Sequence, residues 1–372
     1  MDVKFKRQPL LEKISLVSGL TEARSPSEVV RNVLLRGFKK RKECVVVATD
    51  LESTIITSFK PDDAPAADFD FLAPAQRLLE IVRNIDDEEI LLKIQKNNWI
   101  EITTRSAQFK LPTFPGKDFP TIPPVSGKTG FSLPPETISN VLPAVLNFSS
   151  DDMIRRNING VLFERVDGML RLVATDSHRL AYFQKKVDLP GEFESVVLPR
   201  KAAGEIAKIL KNSEKESGEA AFSFDSEKVF FTLGDTTVIS SPVDSPFPEY
   251  GRVVPDIKSI SPAVIDKNVM LGAVRRVSVF CEDPKKVDIK VSAETVSFNS
   301  GETEIGEGLE TIPAKFSGTE TNTSLNPGFV VDSLNLLDGN SVEFRPGDGN
   351  SPAILSLEGS DDVVCILMPV VS

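Results

Sequence analysis

Residues 74–85 read PAQRLLEIVRNI, residues 199–210 read PRKAAGEIAKIL, and residues 327–337 read PGFVVDSLNLL. Each segment opens on proline, whose missing N–H is not needed in a first helical turn and whose fixed φ suits it. Each then sets apolar residues on one helical face: Leu78, Val82 and Ile85; Ala203, Ile206 and Leu210; Val330, Leu334 and Leu337. The leading prolines stand 125 and 128 residues apart.

Other markers keep the same interval. Apolar, strand-like segments end at Pro112, Pro242 and Pro369, separated by 130 and 127 residues. Ala48-Thr49-Asp50 returns as Ala174-Thr175-Asp176 after 126 residues, and Phe119-Pro120 returns as Phe247-Pro248 after 128. One period close to a third of the 372-residue chain accounts for all of them. We therefore expect three tandem units, 1–125, 126–252 and 253–372, with Pro-rich boundaries DFPTIPPVSG and SPFPEYGRVVP. Within each unit an amphipathic helix comes first, at 9–20, 135–147 and 264–280. Strands such as 43–48 and 170–174 follow, then the Pro-led helix, then further strands with polar turns such as 223–235. Two helices and about eight short strands per unit spell an α+β fold with mostly antiparallel pairing.

Composition narrows the function. Apolar residues make up 40% and charged residues 26%, the balance of a globular protein. No apolar run approaches the ~18–20 residues of a membrane helix, and the start MDVKFKRQPLLEK lacks the pattern of a signal peptide. Cys44, Cys281 and Cys365 are scattered and odd in number, which fits a reducing cytoplasm and no disulfide framework. With His178 as the single histidine and no clustered cysteines, zinc and non-haem iron catalysis are not expected. The phosphate-cradling glycine motifs are absent as well, so no cofactor is expected. A net charge of −11 argues, taken alone, against a DNA-binding protein that grips phosphates.

Several motifs carry a resemblance: Val17-Ser18-Gly19 with Arg24; Ala48-Thr49-Asp50-Leu51-Glu52; Phe114-Pro115 with Asp118-Phe119-Pro120; Asn159-Gly160-Val161-Leu162-Phe163-Glu164; Ala174-Thr175-Asp176-Ser177-His178-Arg179-Leu180-Ala181; and Leu367-Met368-Pro369-Val370 near the end. On these residues the whole chain resembles the bacterial DNA polymerase III beta subunit family, the beta sliding clamps. The resemblance implies a head-to-tail homodimeric ring of six like domains around duplex DNA, with helices lining the hole. A head-to-tail contact whose rotation closes makes such a ring. It implies a non-catalytic, cytoplasmic, nucleoid-associated protein that holds DNA by topology, which removes the charge objection. The edge of unit one would pair with the edge of unit three in the neighbour, and by position Phe109 and Leu111 would meet Val279 and Phe280.

Basic residues on the helices expected to face DNA are Arg24, Arg77, Arg83, Lys201, Lys208, Lys211, Arg275 and Arg276. Arg24 matches a DNA-contacting position of the family, whereas the other such position holds the acid Asp152. Lys and Arg also mark any solvated helix face. The resemblance further implies a hydrophobic cleft between units two and three. It would receive Gln-Leu-x-Leu-Phe-type motifs of the replicative polymerase, the clamp loader and repair proteins. Its residues would be Arg155, Ile158, Thr175, His178, Arg179, Leu180, Pro248, Arg252 and Val253, with Asn326, Phe329, Met368, Pro369 and Val370 from unit three. Ser177 stands where the family usually has Gly, Phe329 replaces a common Tyr, Pro284 replaces a frequent aromatic, and 25–31 (SPSEVVR) departs from the usual pattern.

Two other readings remain open at this level. One is a hydrolase built on Asp50, Asp176 and His178. Strand alternation around His178 would turn Ser177 and His178 to opposite faces and so deny them a nucleophile–base bond. The other is a clamp-like paralogue with a narrower set of partners.

Overall fold

The computed structural model describes residues 2–21, 25, 27–61, 63–95, 97–125, 129–189, 193, 195–212, 218–225, 227–282 and 285–370. Its α-helices are α1 (Arg7–Val17), α2 (Glu28–Arg31), α3 (Ala75–Asn84), α4 (Val141–Leu146), α5 (Arg200–Asn212), α6 (Lys267–Val277) and α7 (Pro327–Leu336). The Pro-led segments are α3, α5 and α7. Their expected core residues, from Leu78 through Leu337, are all buried. Asp266 caps α6 by accepting the Val269 N–H at 2.9 Å, and Asn326 caps α7 by accepting the Gly328 N–H at 2.9 Å. The helix expected over 135–147 is shorter: a 3₁₀ turn at Pro135–Thr137, then α4 from Val141. Pro143 is the reason, because a longer helix would put its ring against the preceding turn, whereas in α4 it sits in the first turn.

Each repeat carries two four-stranded antiparallel half-sheets. One, here the terminal half-sheet, joins the first strand to the last three. In repeat one it runs Asp2–Lys6, Glu89–Ile94, Trp99–Thr103, Gln108–Pro112; in repeat two, Thr129–Leu133, Ala220–Phe224, Val229–Leu233, Thr236–Ser240; in repeat three, Ala263–Asp266, Ser341–Arg345, Ala353–Leu357, Val363–Leu367. The other, the central half-sheet, runs Ser53–Phe59, Glu43–Thr49, Asn32–Phe38, Phe69–Pro74 in repeat one. Its counterparts are Arg179–Lys186, Met169–Thr175, Gly160–Val166, Ser195–Pro199 and Leu309–Pro313, Thr295–Asn299, Val287–Val291, Thr321–Leu325. The short strands Phe114–Pro115 and Lys315–Phe316 extend two of these edges.

Half-sheets of successive repeats fuse through the same pair of strands. Ser53–Phe59 pairs with Thr236–Ser240, setting Ser53 opposite Ser240, and Arg179–Lys186 pairs with Val363–Leu367, setting Arg179 opposite Leu367. Two nine-stranded sheets result. Compact units therefore follow sheets instead of repeats: Met1–Glu136 with Glu205–Pro242, and Thr137–Gly204 with Val243–Ser372. Repeat two is shared, one half-sheet to each unit. The outermost strands Gln108–Pro112 and Leu309–Pro313 are the counterparts of the fused ones, and among the described residues they have no such continuation.

Helices cover one face of the sheets. α1 buries Leu10, Ile14 and Val17 next to α3 with Leu78, Leu79 and Val82, and α6 buries Met270, Val274 and Val277 next to α7 with Val330 and Leu334. Each such side chain contributes about 1.5–3 kcal/mol of transfer free energy. On the other face, the segments after the terminal strands act as covers. Phe114, Phe119 and Ile122 lie over Leu34, Val47 and Leu72 of repeat one. Val243, Phe247, Tyr250, Val254, Ile257 and Ile260 lie over Leu162, Val173, Leu180, Tyr182 and Val197 of repeat two.

Candidate functional site

The expected cleft residues belong to one compact unit, and a single turn organises most of them. Residues 175–179 connect strands Met169–Thr175 and Arg179–Lys186. The Thr175 hydroxyl donates to the Arg179 carbonyl at 2.7 Å and accepts the Ser177 N–H at 3.2 Å. Asp176 accepts the N–H groups of His178 (2.9 Å) and Arg179 (3.0 Å). Ser177 has φ 82°, the left-handed region in which glycine is at ease. The position favours the glycine usual in the family, so serine stands there at a conformational cost. This turn corrects the strand geometry expected around His178. Ser177 and His178 are exposed members of a side-chain-locked turn, and the Asp176 carboxylate is occupied by backbone N–H groups and by the Arg179 guanidinium at 2.9 Å. Asp50 is used alike, accepting from Glu52 and Ser53 at 3.1 and 2.7 Å. Both carboxylates of the hydrolase reading thus serve turns.

Arg179 is the hub of the site. Its guanidinium meets Asp332 on α7 at 2.6 Å, donates to the Asn147 carbonyl after α4 at 2.8 Å, and lies over the rings of Phe148 (4.7 Å) and Phe329 (4.5 Å). Stacking and charge-assisted bonds of this kind suit the planar guanidinium. The turn, α4 and α7 are thereby tied together, and the half-buried Phe329 ring is held in place. Arg155 reaches the same turn from the loop before strand Gly160–Val166, donating to the Asp176 carbonyl at 3.3 Å and the Ser177 hydroxyl at 3.2 Å. It also pairs with Asp152 at 3.3 Å.

The tail enters beside the turn. Met368 donates its N–H to the His178 carbonyl at 2.9 Å, and Val370 donates to the Ser324 carbonyl at 2.8 Å. Pro248, Arg252 and Val253 lie on the cover segment, all exposed. Tyr250 of that segment turns toward the sheet, hydrogen-bonds Glu164 and accepts from Arg171 at 3.0 Å. Burial first, then the Glu164 bond, pushes its phenol up to about 12. Met368 and Val253 are exposed apolar side chains, whereas Leu180, Ile158 and Thr175 are buried and support the surface from below. Asp332, Asn147 and Phe148 escaped the sequence reading. They matter through Arg179, more than 30 residues from the nearest of them in the chain, and no local pattern announces such a pairing.

Arg77 and Arg83 on α3, Lys201, Lys208 and Lys211 on α5, and Arg275 and Arg276 on α6 are all exposed. Lys208 is engaged by Glu205 at 2.7 Å and Arg276 by Glu310 at 2.6 Å. Arg24 and Pro284 lie outside the described residues. Phe109 and Val279 are exposed and Leu111 is buried, while Phe280 is half-buried against the backbone near Gly306 and Gly308. Among the described residues, no group of His, Cys, Asp and Glu is placed to hold a metal ion. Cys44 and Cys365 are buried with thiols pushed up to about 12, chiefly by desolvation. No described helix is long and apolar enough to cross a membrane.

Three α+β repeats fused edge to edge, with helices on one face of the sheets and a turn-and-tail site tied to two of them, define the clamp class of fold. The N-terminal, central and C-terminal domains of the DNA polymerase III beta subunit match residues 1–123, 132–249 and 252–371, so the chain belongs to that family. A beta sliding clamp of Pseudomonas aeruginosa is 26% identical over 373 residues, with 99% of each chain covered. A crystal structure of the P. aeruginosa sliding clamp bound to griselimycin superposes with a TM-score of 0.92 at 26% identity over the full length of both chains. The Bacillus subtilis sliding clamp, at 20% identity, shares the fold with a TM-score of 0.92 over 100% of this chain and 99% of its own. Sliding clamps are processivity factors of DNA replication without a catalytic activity of their own, and this chain is one of that kind.

Proposed function

We propose that two copies of the chain close head to tail into a ring of six repeats, 1–125, 126–252 and 253–372 in each, that encircles duplex DNA. The observation that carries this reading is the pair of complementary outer strands. Gln108–Pro112 and Leu309–Pro313 are the counterparts of the strands that fuse successive repeats within the chain. A second copy offers each of them the partner it lacks, which removes two exposed edges at once. Charge supports the match. Arg105 and Lys110 are exposed at the first edge, and Glu302, Glu304 and Glu307 at the second, beside exposed Ile305 and Leu309. Phe109, Leu111, Val279 and Phe280 belong to this contact.

The ring tethers the replicative polymerase for processive synthesis at the nucleoid and docks the clamp loader and repair proteins. Their Gln-Leu-x-Leu-Phe-type motifs enter the surface formed by Arg155, Thr175, His178, Arg179, Pro248, Arg252, Val253, Asn326, Phe329, Met368, Pro369 and Val370, with Ile158 and Leu180 beneath. Apolar anchors against Met368, Val253 and Phe329, with polar groups at the turn to orient the chain, suit a short linear motif. Arg77, Arg83, Lys201, Lys208, Arg275, Arg276 and Arg24 supply a weak, sequence-independent attraction to DNA.

The test is retention on DNA. Loaded by its clamp loader, the protein stays on a nicked circle and is lost when the circle is cut, as a topological link requires. Equal retention on circular and linear DNA would overturn the ring. Fluorescence anisotropy with a labelled Gln-Leu-x-Leu-Phe peptide gives binding to the full chain and none to a chain lacking 368–372. Equal binding to both would remove the tail from the site.

A further inference from the structure

The three repeats differ at one set of equivalent positions. Strand register aligns Leu34, Val47, Ile56 and Leu72 of repeat one with Leu162, Val173, Tyr182 and Val197 of repeat two. The same register gives Asp288, Asn299, Leu309 and Ser324 in repeat three. In the first two repeats these side chains form the apolar patch that the cover segment seals. In repeat three, three of the four are polar, Leu309 being the exception, and Lys290, Ser297 and Asn322 extend the polar area. Residues on the opposite face of the same strands, Val287, Ile289, Val296, Phe298 and Leu325, are fully buried, so the strands themselves are ordinary.

The covers differ as well. In repeat two, Val243 donates its N–H to the Val197 carbonyl at 2.9 Å, and the chain then crosses the face as far as Ile260. In repeat three, Val370 donates to the equivalent Ser324 carbonyl at 2.8 Å, and among the described residues no such segment crosses the face. A cleft of ≈ 620 Å³ lies on that face, with Pro369, Val370 and Asn350 in its lining. A pocket of this size holds a few residues of extended chain.

We infer that this cleft takes an uncharged polar segment, in extended conformation, adjoining the linear motif that a partner places in the neighbouring site. The inference rests on the motif-docking reading above. Three facts select the occupant. Pro369 and Val370 belong to both surfaces, so a chain leaving one enters the other without a break. The face presents amides and hydroxyls, Asn299, Asn322, Asn350, Ser297 and Ser324, which pair with peptide backbone and with polar side chains of either sense. Its charges are matched internally, Lys290 with Glu320 at 2.7 Å and Lys286 with Asp288 at 3.2 Å, so it selects for neither sign. Ser324 already donates to Asp288, and Asn299 accepts the Gly301 N–H at 2.8 Å, but a hydrophobic occupant like the covers of the first two repeats would desolvate the amides of this face without pairing them.

The experiment compares a labelled Gln-Leu-Ser-Leu-Phe peptide with versions carrying about six Ser, Asn and Gln residues at one end or the other, roughly 20 Å of extended chain. Titrations use the full-length protein and its Asn322→Ala and Ser324→Tyr variants. One extended peptide binds about tenfold more tightly than the core, as one or two net hydrogen bonds supply. Both variants erase that gain and leave the core affinity unchanged. A core that binds with no gain from either extension overturns the cleft while the motif site stands. A gain that survives both variants overturns it too. Failure of every peptide to bind brings down the motif reading and this inference with it. A variant that changes the dimer's sedimentation reassigns the face to contact between copies, which also overturns the inference.

Discussion

Arg179 and Asp332 meet at 2.6 Å across 153 residues of sequence, and the same guanidinium lies 4.5 Å from the ring of Phe329. The pair is asymmetric: the Arg179 side chain is 10% exposed and that of Asp332 42%. Arg179→Ala strips Asp176 and Asp332 of their partner and opens a gap between two rings, so it costs about 2–4 kcal/mol. Asp332→Asn costs about 1 kcal/mol or less, because solvent screens the exposed carboxylate. Urea denaturation of both variants checks the order, and equal losses would contradict it.

Leu51 holds φ 78° with its side chain 61% exposed. It occupies the turn position of Ser177 and loses nothing by becoming glycine except strain. Leu51→Gly raises stability by about 1 kcal/mol, the cost of a left-handed L-residue less glycine's extra chain entropy. A thermal melt reads it as a higher Tm, and a lower Tm would refute the strain.

Phe109 is 36% exposed and Leu309 67% exposed on the two complementary edges. Phe109→Asp or Leu309→Asp weakens self-association by at least about thirtyfold, the equivalent of roughly 2 kcal/mol of lost apolar burial and buried charge. Sedimentation velocity detects the monomer. A variant that dimerises as the parent does would place the interface elsewhere.

Glu310 sits on the same edge strand and is held below its ordinary 4.5 by the Arg276 hydrogen bond. A carboxylate depressed in the folded state stabilises above its unfolded value and loses that contribution as pH falls through the lower folded value. Stability therefore falls below about pH 4.5, by a small amount because solvent screens the pair. Arg276→Ala flattens that part of the profile. Denaturation midpoints between about pH 3 and 6 give the comparison, and an unchanged profile in Arg276→Ala would dismiss the pair.

Proline-led helices, a repeating Ala-Thr-Asp, and apolar residues at helical spacing were enough to find three α+β repeats, because these signals are local. A helix start and a tight turn are written in neighbouring residues, and the buried Leu78, Ile206 and Leu334 lie where periodicity puts them. The resemblance carried by 174–181 and 367–370 added the family. Local signals could not reveal that repeat two is divided between two sheets. Backbone N–H and C=O groups of Ser53–Phe59 and Thr236–Ser240 are the same in any sequence, and only the assembled edges decide which strands join. Nor could they reveal Asp332 as the partner of Arg179, since a salt bridge needs proximity and sequence distance carries none. The contrast between Leu162 and Asp288 was readable as letters. Its meaning, a sealed face in one repeat and an open cleft in another, came from strand register, which sets which side of a sheet each side chain occupies.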